Sequence, residues 1–234
     1  MGSEMCIRDS DYTEVFSPVS RYTTVRLLLS LSKKFKWKRA LIDIKNAFPN
    51  ANLTEDIYVE QPEGCVKDGN EHKVYKLNKA LYGLKQASRE WFKHLHTFLI
   101  QLGCKQGEAD PTMYKWQEGS DFVILVTYVD DILMFASSSK AMETMINHFT
   151  DVFEIRRSSR LERFLGFTIE ESADEVKIHN APMIDRLLTY FNIEQCKPSP
   201  TPLTSGLELY NDNSPKLNDE TCSAMDLGVI YLFS

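Results

Sequence analysis

The stretch LVTYVDDILMFA, residues 125–136, constrains the fold more than any other in the chain, because two adjacent aspartates interrupt an otherwise apolar run. The residues before them (FVILVTYV) and after them (ILMF) are β-branched, aromatic and aliphatic strand formers. FVILVTYV is too short to cross a bilayer, and the double Asp ends it. Ionised carboxylates are rarely set beside a core without a partner. The stretch therefore reads as a β-hairpin, with strands over 121–128 and 132–136 around Val129, Asp130 and Asp131. Either the two aspartates are ordinary turn residues, which Asp favours, or something cationic supplies the missing partner.

Elsewhere helix and strand signals alternate. TTVRLLLSLSKKF (23–35) reads as a helix capped by Thr23 or Thr24, with Val25, Leu28, Leu29, Leu31 and Ser32 near one face. The basic run KKFKWKR that follows suits a helix C-terminus, with phosphate binding as the alternative. ALIDI (40–44) is a short strand with Asp43 near its end. IYVEQP and KVYKL are strands joined by the turn CVKDGNEH. ASREWFKHLHTFLIQLG (87–103) is a helix whose Trp91, Leu95, Phe98, Leu99 and Leu102 share a face, ended by Gly103. SSSKAMETMINHFTDVF is a serine-capped helix, and RFLGFTIEE and EVKIH are strands. APMIDRLLTYF is a helix with Pro182 in its first turn. CKPSPTPLTSG breaks regular structure. This order predicts an α+β fold with helices on one face of an antiparallel sheet.

The 234 residues suffice for one large domain or two small ones. The net charge of −6 carries no global sign of nucleic-acid binding. Residues 1–117 nevertheless hold 18 Lys+Arg against 14 Asp+Glu, and the rest hold 9 against 19, which is compatible with a basic face in the first half. The five cysteines (Cys6, Cys65, Cys104, Cys196, Cys222) form no CxxC pair, so no disulfide framework or zinc site is expected, and a reducing compartment is. His94, His96, His148 and His179 lack metal-ligand company and read as structural. No secretory-signal pattern is read in these residues, and no membrane partner is expected. MCIRDS (5–10) resembles a translated sequencing-library adaptor, so residues 1–10 are read as a non-native leader.

Asp43 ends one strand, and Asp130 and Asp131 lie at a hairpin tip, so neighbouring strands of a small antiparallel sheet can bring the three together. Three clustered carboxylates repel one another unless a cation sits between them. A hard divalent ion suits an all-oxygen set, and a pair of such ions can activate a hydroxyl and clamp a leaving phosphate.

YVDD (128–131) is similar to the YxDD box of reverse transcriptases, and ordered company makes the likeness specific. LIDIKNAFPNANLTEDIYVEQPEG and KVYKLNKALYGLKQASREWF stand upstream, and FLGFTIE, PTPL (200–203) and GVIYL (228–232) downstream. Over residues 11–232 the chain resembles copia-type retrotransposon polymerases. The resemblance implies a right-hand polymerase, with a ferredoxin-like antiparallel palm sheet, partial fingers and the start of a helical thumb. Residues 11–54 would form the first part of the palm, 55–80 a fingers hairpin, 81–179 the rest of the palm, and 180–234 the thumb and the start of a connection.

The implied reaction is RNA-directed DNA polymerisation: attack of a primer 3′-hydroxyl on a dNTP, on an RNA or DNA template, with two Mg²⁺ ions or Mn²⁺ in their place. Asp43, Asp130 and Asp131 match the catalytic, metal-holding carboxylates. Ile44, Lys45, Asn46, Ala47, Phe48 and Gln86 match nucleotide-binding positions, with Phe48 as the steric gate against ribonucleotides. Tyr128, Val129, Phe164, Leu165 and Gly166 match primer-binding positions, and Lys85 and Arg89 are placed for phosphate contacts.

The family's upstream fingers, RNase H and integrase regions are expected on the same polyprotein, in the cytoplasm within a virus-like particle. Activity of this chain alone is expected to be weak or absent. Three departures stand near the nucleotide site: Asn46 for a hydroxyl residue, Pro49 for Leu, and Ala51 for Gly. Ala51 would be strained if its φ were positive. Pro49, Ala51 and the missing upstream fingers favour the alternative, a catalytically inactive nucleic-acid-binding remnant. A palm-like nucleotidyl cyclase is the other reading, but YGLKQASREW and FLGF have no role in it.

Overall fold

The computed structural model describes residues 16–62, 64–66, 69–158, 161–172 and 175–196. PTPL, GVIYL and the MCIRDS leader lie outside the described residues. The chain divides into two compact units, residues 1–178 and 179–234.

The first unit is built on a six-stranded antiparallel sheet. Its strands are β1 (Lys38–Ile44), β4 (Lys105–Gln106), β5 (Met113–Glu118), β6 (Asp121–Tyr128), β7 (Asp131–Ala136) and β8 (Ile155–Ser158), in the spatial order β4-β5-β6-β7-β1-β8. Helix α3 (Ala87–Gln101) connects β1's side of the chain to β5–β6, and α4 (Ser139–Thr150) connects β7 to β8. Strands β1, β6, β7 and β8 with these two helices follow the split β-α-β-β-α-β order. The expected serine cap on α4 is present: Ser138 Oγ accepts the Ala141 N–H at 3.1 Å.

Register decides which side chains meet. Ala40, Ile42, Ile44, Leu125, Ile132 and Met134 face one way, into a core with Trp91, Leu95 and Leu99 of α3 and Met142, Met145 and Phe149 of α4. Leu133, Phe135 and Val126 face the other way, against Val25, Leu28 and Leu29 of α1 (Tyr22–Lys34) and Phe164 and Ile169 beyond. Helices therefore cover both faces, not the one face expected. The sign was in the sequence: Ile132 to Ala136 are all buried, and such an unbroken apolar run marks a strand covered on both sides.

Helix α1 is also capped differently from expectation. Arg21 is its N-cap and Thr24 lies inside the first turn. The Thr24 hydroxyl and the Arg21 N–H both donate to Asp110 Oδ2, at 2.6 and 3.3 Å. Burial would raise the Asp110 carboxyl, but hydrogen bonds from Thr112, Thr24 and the Thr112 and Arg21 amides outweigh it and hold its pKa low.

Strands β2 (Asn52–Val59) and β3 (Tyr75–Lys79) form a separate ribbon after the short α2 (Ala47–Asn50). RFLGFTIEE is a hairpin, not one strand. β9 (Arg163–Phe164) and β10 (Phe167–Glu171) flank a two-residue turn, Leu165-Gly166, with φ of 53° and 78°. Positive φ at both central residues is the turn geometry whose twist matches antiparallel strands. β11 (Val176–His179) completes a three-stranded sheet with them. In the second unit, α5 (Ala181–Tyr190) carries Pro182 in its first turn and has no buried residue.

Candidate active site

Strand register lines up four polar side chains at one end of the sheet. Tyr128, last in β6, lies opposite Asp131, first in β7. Asp131 lies opposite Asp43 on β1, and Asp43 lies opposite Arg156 on β8. Opposed residues of an antiparallel ladder share a face, so the four form a row across four strands, on the face that carries Leu133 and Val126. Asp131 was expected in the turn but begins a strand. The turn itself is only Val129 and Asp130.

That turn is held against its preference. Val129 has φ of 51°, a left-handed conformation that a β-branched side chain disfavours. Trp91, buried in α3, donates its Nε1–H to the Val129 carbonyl at 2.6 Å. The Asp130 carbonyl accepts the Ile44 N–H at 2.8 Å, which ties the turn to the strand bearing Asp43.

Burial, then the charges of Asp130 and Asp43, push the Asp131 carboxyl up to about 6 from an ordinary 3.8. The Tyr82 hydroxyl stands 3.5 Å from Asp130 Oδ2, and its ring lies 4.4 Å from that of Phe48. Burial and the Asp130 charge raise the Tyr82 phenol, against a lowering hydrogen bond at the Ala47 backbone. Oxygen donors that repel one another are chemically suited to a hard divalent cation. As the side chains stand, however, no group of three or more His, Cys, Asp or Glu among the described residues is arranged to hold a metal ion.

The other expected site residues fall into three groups. Ile44 and Ala47 are fully buried beside the row. Asn46, with φ of 52°, caps α2, and Phe48 packs partly into the core. The Lys45 ammonium is paired with Glu154, and its N–H donates to the Glu154 carbonyl at 2.9 Å. Gln86 is 3% exposed at the start of α3, whereas Lys85 is exposed and Arg89 half-buried. Phe164 is buried in the second core and anchors the turn, so only Leu165 and Gly166 form its tip. The expected strain at Ala51 is absent: its φ is −88°, ordinary extended backbone. Pro49 sits in the first turn of α2, where an N–H has no intrahelical partner to lose.

Three neighbours escaped sequence reasoning. Arg156 was hidden in IRRS, an edge strand that its own residues do not announce. Tyr82 and Trp91 stood inside quoted motifs without a role. His96 bonds Tyr114 Oη at 3.0 Å and His94 packs on Trp91 and Phe153, with burial lowering the His94 pKa.

Comparison with known proteins adds a separate line. A family model described as "Reverse transcriptase (RNA-dependent DNA polymerase)" matches residues 5–205. The Retrovirus-related Pol polyprotein from transposon TNT 1-94 of Nicotiana tabacum is 34% identical over 213 residues, covering 90% of this chain and 16% of that protein. The corresponding polyprotein from transposon RE1 of Arabidopsis thaliana is 32% identical over 211 residues, 90% of this chain and 14% of its own length. The putative transposon Ty5-1 protein of Saccharomyces cerevisiae is 29% identical over 181 residues, 77% of this chain and 59% of its own length. The chain thus spans about one sixth of the length of the first of these polyproteins.

Proposed function

The chain belongs to the reverse transcriptase (RNA-dependent DNA polymerase) family, and we propose that it carries the polymerase site of a copia-type retrotransposon Pol polyprotein. The observation that carries this reading is the register itself, which sets Asp43 opposite Asp131 with Asp130 in the adjoining turn. In this reading residues 11–54 and 81–179 are the palm, 55–80 a fingers hairpin, and 180–234 the thumb and the start of a connection. RNA or DNA template, primer and dNTPs are the partners, and RNase H and integrase regions belong to the same polyprotein. The setting is the cytoplasm, within a virus-like particle.

Asp43 and Asp130, with Asp131 as a weaker or indirect ligand, would hold two Mg²⁺ ions. Bound there, the metal supplies Lewis-acid activation of the primer 3′-hydroxyl and charge neutralisation at the phosphates. The chain's own residues do the rest. The stiff hairpin turn, clamped by Trp91, fixes where Asp130 stands. Tyr128, in the same row as Asp131, supports the primer end, and the Leu165-Gly166 turn approaches the primer backbone. Phe48, backed by the Tyr82 ring, walls the sugar side and disfavours a 2′-hydroxyl. The exposed Arg156 and Lys85 and the half-buried Arg89 offer charge to phosphates.

The inactive-remnant reading drew on Pro49 and Ala51 as well as on the missing fingers, and neither of these two residues is strained here. Primer extension on an RNA template with dNTPs and Mg²⁺ tests the proposal, using this chain beside one joined to the fingers and RNase H regions. Extension in the longer chain, abolished by Asp130→Asn, is expected. Primer–template binding without extension in either would make the chain a binding remnant.

A further inference from the structure

The Gln86 amide is fixed at one end and unsatisfied at the other. Its Nε2 donates to Glu55 Oε2 at 3.0 Å. A carboxylate only accepts, so chemistry alone dictates that Nε2 and not Oε1 faces Glu55. Oε1 is then the one buried side-chain nitrogen or oxygen among the described residues that has no hydrogen-bond partner. Buried polar atoms are partnered with few exceptions, and each exception calls for an explanation, a catalytic or binding role among them.

Both residues are built into position. Glu55 lies on the inward face of β2 with Leu53 and Ile57, in the stretch where the ladder to β3 is irregular. Gln86 opens α3, which packs on α2, the short helix that follows β1 and Asp43. Five residues on, about 7.5 Å of helix rise, Trp91 holds the Val129 carbonyl.

We propose that Glu55 is a positioning residue of the nucleotide site. It holds the Gln86 amide so that the carbonyl oxygen is presented to the bound nucleotide, and the group it takes there is a hydrogen-bond donor, a sugar O–H or a base N–H. A phosphate, which only accepts, does not fit this oxygen. The proposal rests on the nucleotide-site reading above.

The test is equilibrium dNTP binding to the longer chain, joined to the fingers and RNase H regions, on a primer–template whose primer ends in a dideoxynucleotide, so that no bond forms. Glu55→Leu and Gln86→Met are each expected to weaken dNTP binding about tenfold, the worth of one hydrogen bond. The double variant should lose no more than either single, because both act through one contact. Glu55→Gln, whose amide oxygen still accepts from Nε2, should retain binding within about threefold. Primer–template affinity and melting temperature should stay near wild type. Gln86→Met fills the same volume without the carbonyl and keeps the test open if Glu55→Leu fails to fold.

Dideoxynucleotides distinguish the donor. If it is the sugar 3′-hydroxyl, wild type and Glu55→Leu bind them equally. If it is a base N–H, the loss persists and varies with the base. Unchanged dNTP binding in a folded Glu55→Leu or Gln86→Met, or losses that add in the double variant, would overturn the proposal. A wild-type chain that binds primer–template but no dNTP would overturn the nucleotide-site reading itself, before any variant is compared.

Discussion

Asp131→Asn should stabilise the metal-free chain at neutral pH and do nothing for it in acid. The Asp131 carboxyl is raised to about 6 from 3.8 by burial and by Asp130 and Asp43. A carboxyl raised in the folded state favours folding while it is protonated. That contribution is fully present below about 3.8 and is lost as pH rises through about 6. The difference between the two values corresponds to about 3 kcal/mol at most. Asp131 is only partly buried, so solvent screening reduces it to about 1–2 kcal/mol, or a few degrees in melting temperature for a chain of this size. The assay is thermal unfolding of both proteins in excess EDTA at several pH values. Other acids titrate in both, so the difference isolates this site. The variant should melt higher at pH 7.5, with the gap closing toward pH 4. Adding Mg²⁺ should then raise the wild type more than the variant, by mass action on the folded state. A gap independent of pH, or a variant less stable at pH 7.5, would refute the electrostatic account.

Trp91→Phe keeps most of a buried ring but leaves the Val129 carbonyl without its 2.6 Å donor. A loss of about 1–3 kcal/mol in urea unfolding is expected, with faster hydrogen exchange at the Ile44 amide. Restoring the family's residues should not help: Ala51→Gly, at an extended and fully buried position, should cost about 0.5–1 kcal/mol, and Pro49→Leu should give no gain in melting temperature. Burial pushes the Cys104 thiol up to about 12, whereas Cys65 and Cys196 are exposed. Alkylation at pH 8 followed by peptide mapping should label the latter two and spare Cys104 until the chain is unfolded.

What the sequence made legible was whatever local chemistry specifies. The amphipathic stripe of α3, the Ser138 cap of α4 and the hairpin through YVDD all follow from spacing and side-chain type within a dozen residues. What it hid was set by partners far along the chain. Thr24 looked like a cap, but its hydroxyl goes to Asp110, 86 positions away. β8 is a four-residue edge strand that exists only because β1 is there to pair with it, so Arg156 came to face Asp43 without any local sign. The residue pattern alone reads Leu165-Gly166 as part of a strand, because Leu is an unusual choice at positive φ, although the family resemblance matches Phe164, Leu165 and Gly166 to a turn. Ala51 was misjudged for the converse reason: a residue type was read as a conformation, and the backbone turned out to be extended.

Several unfavourable features of this chain meet at one place, although left-handed backbone also occurs at Lys36, Leu165 and Asn192. Away from the row of carboxylates, buried polar groups are answered. Ser20 Oγ donates to the Thr127 carbonyl at 2.9 Å, Thr127 Oγ1 to the Thr112 carbonyl at 3.2 Å, and Ser32 Oγ to the Leu29 carbonyl at 2.8 Å. Asp110 takes several donors, and Glu90 pairs with Lys93. Three exceptions lie around one end of the sheet and the helix packed there: a β-branched residue at positive φ in the turn, a carboxyl whose pKa is raised by burial and by its neighbours' charges, and a buried amide oxygen with no donor. Each is of the order of 1–3 kcal/mol, and each would be relieved by a simple substitution. A chain under pressure for stability alone would lose such features one at a time and independently. Among the described residues their coexistence within a core that is otherwise satisfied supports the proposed site, whose ligands would supply the missing partners. It also separates this site from the basic run after α1, where Lys33 and Arg39 are already engaged with Glu171 and the fold asks for nothing further.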